Sequence, residues 1–500
     1  MQATFTTKAY GKNDIRGLYP EEVNAELFYY TGIGYVNWAL EKLRMNGSPK
    51  TASDLYFCVC MDARLHSPEL KNSLVSGVRS TGANVLDIGL APTPLGYYSE
   101  FAILDKDFIG GAKIYGALII TASHNPKEYN GLKMTFNRAS LNEAQIKEVR
   151  LKCEKAYNER DKVVTYVPPV GHLIEKSLIP HYIDKLSSTF GKIGSGIKVV
   201  VDSANATGGI VAPELYRALG AEVIELYSEP DGNFPNHHPN PSTLSTLETL
   251  QKTVVENKAD VGIAFDGDSD RIGVVTSDGS AITGDKLLFI YAMDLIKELA
   301  PRGEAPTVVS EVKCSQVLYD EINANGGNAV MYKTGHGYIK SKMKETSALL
   351  AGEMSGHTFF KDRYFGYDDA IYAGCRLIEI IAKNKMKSKS FNLLDTLKPF
   401  ERMAGGGEVR LHCPNELKKP VLEEFAKLDM AKLFNEEIKE IITIDGMRII
   451  FNDGMAIIRQ SNTEPVFTMG FEATTQEKCD HYTKTMVDKI EELKEIKSKV

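Results

Sequence analysis

The sequence has few cysteines and no long apolar run. Its seven cysteines among 500 residues are an odd number without a C-x-x-C pair, which favours buried free thiols over a disulfide framework. No stretch of 18 or more apolar residues occurs, and Met1 to Gly17 lacks the basic-then-apolar pattern of a signal peptide. We therefore expect a cytoplasmic protein that does not bind a membrane.

A strong excess of one charge is also missing. Lys plus Arg number 59 against 66 Asp plus Glu, a net charge of −7, so no global basic field exists for nucleic acid or an anionic membrane. With 43% hydrophobic and 25% charged residues, the composition excludes disordered, collagen-like and coiled-coil proteins. At about 150 residues per domain, the length predicts roughly three or four domains. Any anion that this protein binds must meet a local site.

One pattern of strand, polar loop, helix and strand occurs three times along the chain. The three copies begin with the apolar runs 55–60, 197–201 and 307–310, and in each a glycine precedes the second strand: Gly82 before 84–88, Gly220 before 222–226 and Gly326 before 328–332. Such units form parallel sheets with right-handed crossovers. The repeat predicts three similar mixed α/β domains.

From about Phe400 the repeat breaks, which predicts a fourth, smaller α+β domain. Short strands are expected around 443–444 and 447–451, followed by a final helix from Gln476 to about Lys497. Between the first two units, Ser140 with Glu143 predicts a capping box that opens a helix, and 164–170 is expected to be a linker. No heptad or apolar stripe indicates a partner, so we expect a monomer or weak dimer.

A serine follows directly on a predicted strand in Thr121-Ala-Ser-His-Asn-Pro126. Alone, this loop could be an ordinary turn with an Asx-type hydrogen bond. A displayed Ser123 could equally be a nucleophile or phosphoryl carrier, with His124 and Lys133 near enough in sequence to neutralise a phosphate. A triad hydrolase is disfavoured because no G-x-S-x-G surrounds Ser123.

Three carboxylates alternate with small residues in Asp266-Gly-Asp-Ser-Asp-Arg271. An extended loop can point Asp266, Asp268 and Asp270 at one hard cation, and such close like charges repel unless a cation compensates them. An EF-hand fits poorly because its sixth position is Arg271 rather than Gly and its twelfth is Ser277 rather than Glu. The loop predicts Mg²⁺ bound together with a phosphate, which Arg271 could grip.

Two further loops carry polar groups without an evident metal pattern. Gly352-Glu-Met-Ser-Gly-His357 offers a carboxylate at Glu353 and a hydroxyl at Ser355, which suits a polyol-binding loop. Arg459-Gln-Ser-Asn-Thr-Glu-Pro465 has the donors expected for a phosphate that is held but not reacted; a capped turn is the alternative.

Together with Asn13-Asp-Ile-Arg-Gly17, these motifs closely resemble those of the alpha-D-phosphohexomutase superfamily, and within it the bacterial phosphomannomutase/phosphoglucomutase group. The resemblance spans almost the whole chain. It implies a heart-shaped enzyme of four domains around a central cleft. The expected domains are 1–166 with the phosphoserine loop, 167–278 with the metal loop, 279–397 with the sugar loop, and 398–500 with the phosphate loop.

The resemblance also implies a mechanism. Ser123 would carry a phosphoryl group, with Mg²⁺ held by Asp266, Asp268, Asp270 and a phosphoserine oxygen. Transfer to a hexose phosphate would give a 1,6-bisphosphate, which also serves as activator and returns its other phosphate to Ser123. The product would be the isomeric hexose 1- or 6-phosphate of mannose, glucose or both.

Further residues receive roles from the same resemblance. Glu353 and Ser355 would bind the sugar O3 and O4. The groups expected to clamp the non-transferring phosphate are Arg459, Ser461, Asn462 and Thr463. Those expected to act as acid, base or phosphate contact are Arg16, Lys133, Lys313 and His336.

Departures from the family pattern bear on the substrate. Asn13 stands where many members have Tyr, and Ser269 replaces the commoner Gly in the metal loop without removing a ligand. Glu-Met-Ser in the sugar loop favours glucose and mannose phosphates. Phosphoglucosamine mutase, a metal-dependent phosphatase using Ser123, and a non-catalytic phosphosugar-binding relative remain the alternatives.

Overall fold

The computed structural model describes residues 5–101, 109–162, 169–461 and 465–498. The chain forms two compact units, the first comprising 1–283 with 355–392 and the second 284–354 with 393–500. Within the described ranges, no helix is both long enough and apolar enough to cross a membrane.

The first sheet of the first unit has the order β1-β5-β4-β2-β3-β7, with β6 paired to β5. Its central strands β4, β2 and β3 are parallel, whereas β5 runs antiparallel to both β4 and β1. The strands are β1 Ile15–Leu18, β2 Tyr56–Met61, β3 Asn84–Leu90, β4 Ile114–Ile120, β5 Tyr129–Phe136, β6 Ala139–Ser140 and β7 Leu173–Glu175. The accompanying helices are α1 Ala25–Met45, α2 Ser67–Ser80, α3 Thr93–Phe101 and α4 Glu143–Asn158.

The second sheet of this unit has the order β12-β11-β10-β8-β9. β8 lies parallel to β9 and β10, and β10 pairs antiparallel with β11, so one tight loop joins two buried strands. The strands are β8 Lys198–Asp202, β9 Glu222–Leu226, β10 Val261–Phe265, β11 Ile272–Thr276 and β12 Ala281–Ile282. The helices are α5 Ile179–Phe190, α6 Ala212–Ala218 and α7 Glu248–Glu256, and the returning segment adds β16 Thr358–Phe360 and α11 Ala370–Lys387.

The second unit contains a parallel sheet in which β13 lies between β14 and β15. It also contains an antiparallel sheet in the order β17-β21-β20-β19-β18. The strands are β13 Thr307–Glu311, β14 Asn328–Tyr332, β15 Leu350–Gly352, β17 Ala404–His412, β18 Ile438–Ile442, β19 Met447–Phe451, β20 Gly454–Gln460 and β21 Val466–Ala473. The helices are α8 Gly284–Leu299, α9 Gln316–Ala324, α10 His336–Thr346, α12 Leu393–Thr396, α13 Asn415–Phe425, α14 Met430–Phe434 and α15 Gln476–Ser498.

The repeat predicted from the sequence corresponds to three parallel strand pairs, β2–β3, β8–β9 and β13–β14. In each copy the predicted glycine has a positive φ, between 88° and 92°, where a side chain would be strained. The final helix also forms where its periodicity placed it. Three mixed α/β domains and a C-terminal α+β domain are therefore confirmed as the fold class.

Some local predictions were wrong. The helix cap before α4 is Asn142 with Gln145, because Ser140 is engaged in β6. Residues 443–444 lie in the turn between β18 and β19 rather than in a strand.

Of the predicted linker 164–170, residues 164–168 lie outside the described ranges. All seven cysteines are free and buried, as their sparse pattern predicted.

Glu100, at the end of α3, is a carboxyl group enclosed in the first domain at 5% exposure. It accepts hydrogen bonds from the Thr135 hydroxyl and, at 2.7 Å, from the Arg138 backbone N–H. Burial raises the pKa of Glu100 to about 7, although these two donors act in the opposite direction. Because this pKa is higher in the folded state, the group contributes stability at low pH that is lost as pH rises through about 7.

We expect Glu100→Gln to flatten the pH dependence of stability, because the amide cannot ionise. Between pH 6 and 8 the wild-type protein should lose on the order of 1 kcal/mol more than the variant. Chemical unfolding at several pH values measures the difference, with the exposed Glu26→Gln as the matched control. Parallel pH profiles for wild type and Glu100→Gln would contradict the prediction.

Candidate active site

The loop that joins β4 to β5 contains Ser123, whose backbone is in the left-handed conformation. Ser123 has φ of 50°, and its backbone N–H donates to Thr121 Oγ1 at 2.8 Å. The sequence suggested a displayed hydroxyl, but Ser123 is only 1% exposed. The reason is the metal loop: a Cβ at Gly267 would lie 2.4 Å from the Ser123 carbonyl oxygen, so the two backbones are in contact.

A buried arginine holds this loop from behind. Arg64 is 1% exposed, and its Nε donates to Asp62 at 3.0 Å. Its two Nη groups donate at 2.6–3.0 Å to four backbone carbonyls of the loop: Ser123, Asn125, Pro126 and Tyr129. Charge-assisted bonds of this kind are roughly twice as strong as neutral ones. Arg64 therefore offsets the strain of the left-handed serine and sets the position of its hydroxyl.

The Ser123 hydroxyl faces the first carboxylate of the metal loop. Its Oγ donates to Asp266 Oδ2 at 2.7 Å and lies 3.1 Å from His124 Nδ1. Burial and the nearby cations Arg271 and Arg16 lower the pKa of His124 well below its ordinary value. His124 is therefore a neutral imidazole beside the serine at pH 7.

The three aspartates of the metal loop converge. Their carboxylate oxygens lie within 4.8 Å of one another, and none of the residues is more than 1% exposed. Burial and the charges of Asp268 and Asp270 raise the pKa of Asp266 well above its ordinary value. Ser269 between them has φ of 60°, a conformation that favours the glycine expected there, so the turn survives the substitution with some strain.

Lys133 is the cation that faces these carboxylates. Its Nζ lies 2.5 Å from Asp268 Oδ2 and 2.5 Å from Asp270 Oδ2. Burial opposes the charge on Lys133, but the two aspartates raise its pKa well above its ordinary value overall. Thr93, at the start of α3, also donates its hydroxyl to Asp268 Oδ2 at 2.5 Å.

The donor set fits a hard divalent cation. Asp268 Oδ1 and Asp270 Oδ1 are buried and have no hydrogen-bond partner among the described residues. Leaving buried oxygens without a hydrogen bond is costly. Carboxylate oxygens are the ligands that hard divalent cations such as Mg²⁺ prefer. The three aspartates therefore form a group that could hold a metal ion.

A second group of possible ligands lies next to the first and combines Asp270 with His357 and Asp368, a grouping that the sequence did not indicate. His357 Nε2 accepts from Arg271 Nε at 3.1 Å, while its Nδ1 lies 3.2 Å from Asp368 Oδ2. Both ring nitrogens are thus engaged, which disfavours metal binding by His357. These contacts, from Asp368 to His357 and from His357 to Arg271, instead orient the Arg271 guanidinium beside the metal loop.

Arg16 and Ser355 complete the predicted residues of the first unit. Arg16, on β1, donates to Asn125 Oδ1 at 2.8 Å and pairs with Asp14 at 2.5 Å, which places it at the Ser123 loop. The Ser355 carbonyl accepts from Ser242 Oγ at 3.1 Å. The first unit therefore brings together the residues Arg16, Ser123, His124, Lys133, Asp266, Asp268, Asp270 and Arg271.

The second unit holds the other predicted groups at the ends of its strands. Lys313 follows β13 and pairs with Glu408 at 3.1 Å. Glu353 follows β15, is 3% exposed, and accepts from the Gly335 backbone N–H at 2.6 Å. His336 is the first residue of α10, directly after Gly335.

The predicted phosphate loop begins at the end of β20. Arg459 is 5% exposed, with Nε donating to Asp445 Oδ2 at 3.1 Å. The Ser461 backbone N–H donates to the Val466 carbonyl at 3.0 Å, and its own carbonyl accepts from the buried Lys418 at 2.7 Å. Asn462 and Thr463 lie outside the described residues.

Several residues in contact with the predicted site residues were not assigned from the sequence. Each directs a polar group at a site loop, and all but the partly exposed Asp445 are buried: Arg64, Thr93, Glu311, His357, Asp368, Lys418 and Asp445. Arg64 had a usable signal, because it follows β2 where the polar loop of the first repeat begins. The others act across distant sequence positions, for which one sequence carries no pairing signal.

Family models match four consecutive parts of the chain. They describe phosphoglucomutase/phosphomannomutase alpha/beta/alpha domain I at residues 7–160, domain II at 180–279, domain III at 283–397, and the C-terminal domain at 408–489.

Similar proteins cover nearly the whole chain. A phosphomannomutase/phosphoglucomutase of Pseudomonas aeruginosa is 37% identical over 93% of this chain and 92% of its own. A phosphoglucomutase of Neisseria gonorrhoeae is 38% identical over 95% of each chain. The crystal structure of a phosphoglucomutase/phosphomannomutase family protein from Burkholderia thailandensis is 31% identical, covers 98% of both chains and has a TM-score of 0.83.

We expect Arg64→Met to loosen the Ser123 loop, because four backbone carbonyls lose their donors. Amide exchange in 121–131 should accelerate at least about tenfold, and the buried-pair loss should cost roughly 3–5 kcal/mol. Exchange measured by mass spectrometry should leave β19 unchanged. Arg217→Met, which removes a half-exposed arginine paired with Glu225, is the control. Unchanged exchange in 121–131 would rule out the role given to Arg64.

Proposed function

Because the chain belongs to the phosphoglucomutase/phosphomannomutase family, we propose that Ser123 carries the phosphoryl group that its reaction transfers. The enzyme is a metal-dependent phosphohexomutase, an isomerase. The observation that supports Ser123 is its hydroxyl, 2.7 Å from Asp266 in a cluster of three buried carboxylates. The intermediate of the proposed reaction is a hexose 1,6-bisphosphate, which also loads the serine.

The proposed metal is Mg²⁺ held by Asp266, Asp268, Asp270 and Ser123. When bound, Mg²⁺ withdraws charge from the oxygens around the transferring phosphorus. A phosphoserine brings about −1.5 to −2 charges into a site that already holds three carboxylates, so the site requires cations.

The chain's own cations supply the rest of the neutralisation. Lys133 lies against Asp268 and Asp270 at 2.5 Å, and Arg271 is oriented by His357. Arg16 contacts the Ser123 loop through a hydrogen bond to Asn125. These groups are fixed before substrate arrives, and phosphoryl transfer depends more on such positioning and charge balance than on covalent chemistry.

Further substrate contacts are proposed from the sugar loop and the phosphate loop. Glu353 and Ser355 are the proposed contacts to the sugar hydroxyls. Arg459, Ser461, Asn462 and Thr463 are the proposed clamp on the phosphate that does not react, with Lys313 and His336 as additional phosphate or hydroxyl contacts. An arginine with a fixed planar fork suits this task, since it binds phosphate oxygens in pairs.

Ser123→Ala should abolish phosphoenzyme formation, because no hydroxyl remains to carry the phosphate. Incubation with glucose 1,6-bisphosphate followed by intact-mass measurement should add one phosphate to the wild type and none to the variant. Ser188→Ala, which removes an exposed helical hydroxyl, should be phosphorylated like the wild type. A stoichiometric phosphate on Ser123→Ala would show that another residue is the carrier.

Asp268→Asn should remove the response to metal with little loss of fold. We expect Mg²⁺ to raise the unfolding temperature of the wild type and of the exposed control Asp161→Asn, but not that of Asp268→Asn. Turnover of the variant should fall at least about 100-fold. An unaltered Mg²⁺ stabilisation in Asp268→Asn would contradict the ligand assignment even if activity were lost.

A coupled assay of mannose 1-phosphate, glucose 1-phosphate and glucosamine 1-phosphate, with catalytic 1,6-bisphosphate and Mg²⁺, tests the substrate class. We propose that the glucose and mannose phosphates are turned over, because Glu-Met-Ser in the sugar loop matches these substrates. Preference for glucosamine 1-phosphate would indicate phosphoglucosamine mutase. Net phosphate release would indicate a phosphatase.

A further inference from the structure

The three-residue loop 333–335 joins β14 to α10 in the second unit. Two consecutive residues of this loop, Thr334 and Gly335, bind three carboxylates from three separate segments. Gly335 has φ of 127°, so the chain turns here in a conformation that favours glycine. The turn leaves the backbone N–H groups before α10 available to acceptors.

Each of the three carboxylates accepts a hydrogen bond from a different donor of the loop. The Thr334 hydroxyl donates to the buried Glu311 at the end of β13, and the Gly335 N–H donates to Glu353 at 2.6 Å. The Thr334 N–H donates to Asp445 Oδ2 at 3.1 Å. Glu311 also accepts from the Met354 N–H at 2.8 Å, so the sugar loop and the 333–335 loop share one acceptor. Negative charge at the start of a helix is favourable, which strengthens all three bonds.

Asp445 has a second partner, the arginine of the phosphate loop. Its Oδ2 accepts from Arg459 Nε at 3.1 Å as well as from Thr334. The turn that carries Asp445 is packed tightly, because a Cβ at Gly446 would lie 2.2 Å from the Ile458 carbonyl and 2.8 Å from Arg459 Cα. Asp445 is therefore the group through which the C-terminal domain's arginine is joined to the loop before α10.

We propose that Asp445 is a positioning residue that holds Arg459 and the 333–335 loop in one fixed arrangement for the hexose phosphate. The proposal rests on the phosphate-binding role assigned above to Arg459 and the sugar-binding role of Glu353. Asp445 keeps the Arg459 guanidinium in one orientation. Thr334 and Gly335 connect Asp445 to Glu353, the carboxylate proposed to bind the sugar. Phosphate and sugar are then recognised by a single preorganised unit rather than by two independent loops.

Asp445→Asn is the informative variant. The amide keeps one oxygen acceptor but loses the charge shared by Arg459 and Thr334. We expect KM for glucose 1-phosphate to rise about tenfold, with kcat changed less than about threefold, since the lost interactions serve binding. The exposed Asp480→Asn in the same domain is the matched control. Phosphorylation of Ser123 by the bisphosphate should be retained.

Two double-mutant cycles on kcat/KM distinguish coupling from simple loss of an ion pair. Asp445→Asn is combined with Arg459→Met in one cycle and with Glu353→Gln in the other. Both cycles should be non-additive by more than about twofold, because Asp445 acts through each partner. Additive effects in the Glu353 cycle would overturn the proposal, since Asp445 would then support Arg459 alone.

The same set separates this inference from the proposed function. If Arg459→Met alone leaves KM unchanged, the phosphate-clamp assignment is wrong, whatever the cycles show. If Arg459→Met raises KM but Asp445→Asn does not, only the positioning role fails. Should Asp445→Asn unfold below assay temperature, Asp445→Glu keeps the charge but displaces it by one methylene. A wild-type KM and an additive Glu353 cycle in that variant would likewise overturn the proposal.

Discussion

Electrostatic repulsion among three buried carboxylates is the constraint on which the first unit depends. Asp266, Asp268 and Asp270 lie within 4.8 Å of one another on a loop with almost no exposure. Buried carboxylates this close repel one another unless cations lie next to them. Lys133, on β5, is such a cation and pairs with Asp268 and Asp270. Two of the carboxylate oxygens have no hydrogen-bond partner among the described residues, as a metal site would require.

The same constraint explains why the serine is enclosed rather than displayed. Its loop must approach the metal loop closely enough for Ser123 Oγ to reach Asp266, and Gly267 makes that approach possible. The left-handed backbone at Ser123 is maintained by Arg64, whose guanidinium binds the loop's carbonyls from the protein interior. Burial, strain and charge at Ser123 are thus parts of one arrangement.

In the second unit, acidic side chains act as acceptors rather than as ligands. Glu311, Glu353 and Asp445 each bind a donor of the loop before α10, and Asp445 also binds Arg459. At these positions acidic side chains orient hydrogen-bond donors, so a net charge of −7 does not describe the charge at the site. Net charge excludes polyanionic partners without describing the local field at a site.

How much could be predicted from the sequence depended on the range of the interaction. Strands β9, β14 and β19 were predicted to the residue, because apolar alternation and flanking glycines are local signals. The α4 cap was misplaced by two residues, because Ser140 and Asn142 offer the same capping chemistry and only pairing in β6 removes Ser140. The domain boundaries stay predictions.

The sequence by itself identified the candidate groups: one serine, three aspartates, and loops with single arginines at Arg271 and Arg459, each loop following a strand. These are properties of residue type and spacing, which do not require knowledge of distant contacts. Only the tertiary structure decided that Lys133 faces Asp268 and Asp270, that Arg64 shapes the serine loop, and that Asp445 joins Arg459 to Thr334. Those pairings span up to 137 positions, and which donor meets which buried acceptor is determined by packing rather than by order along the chain.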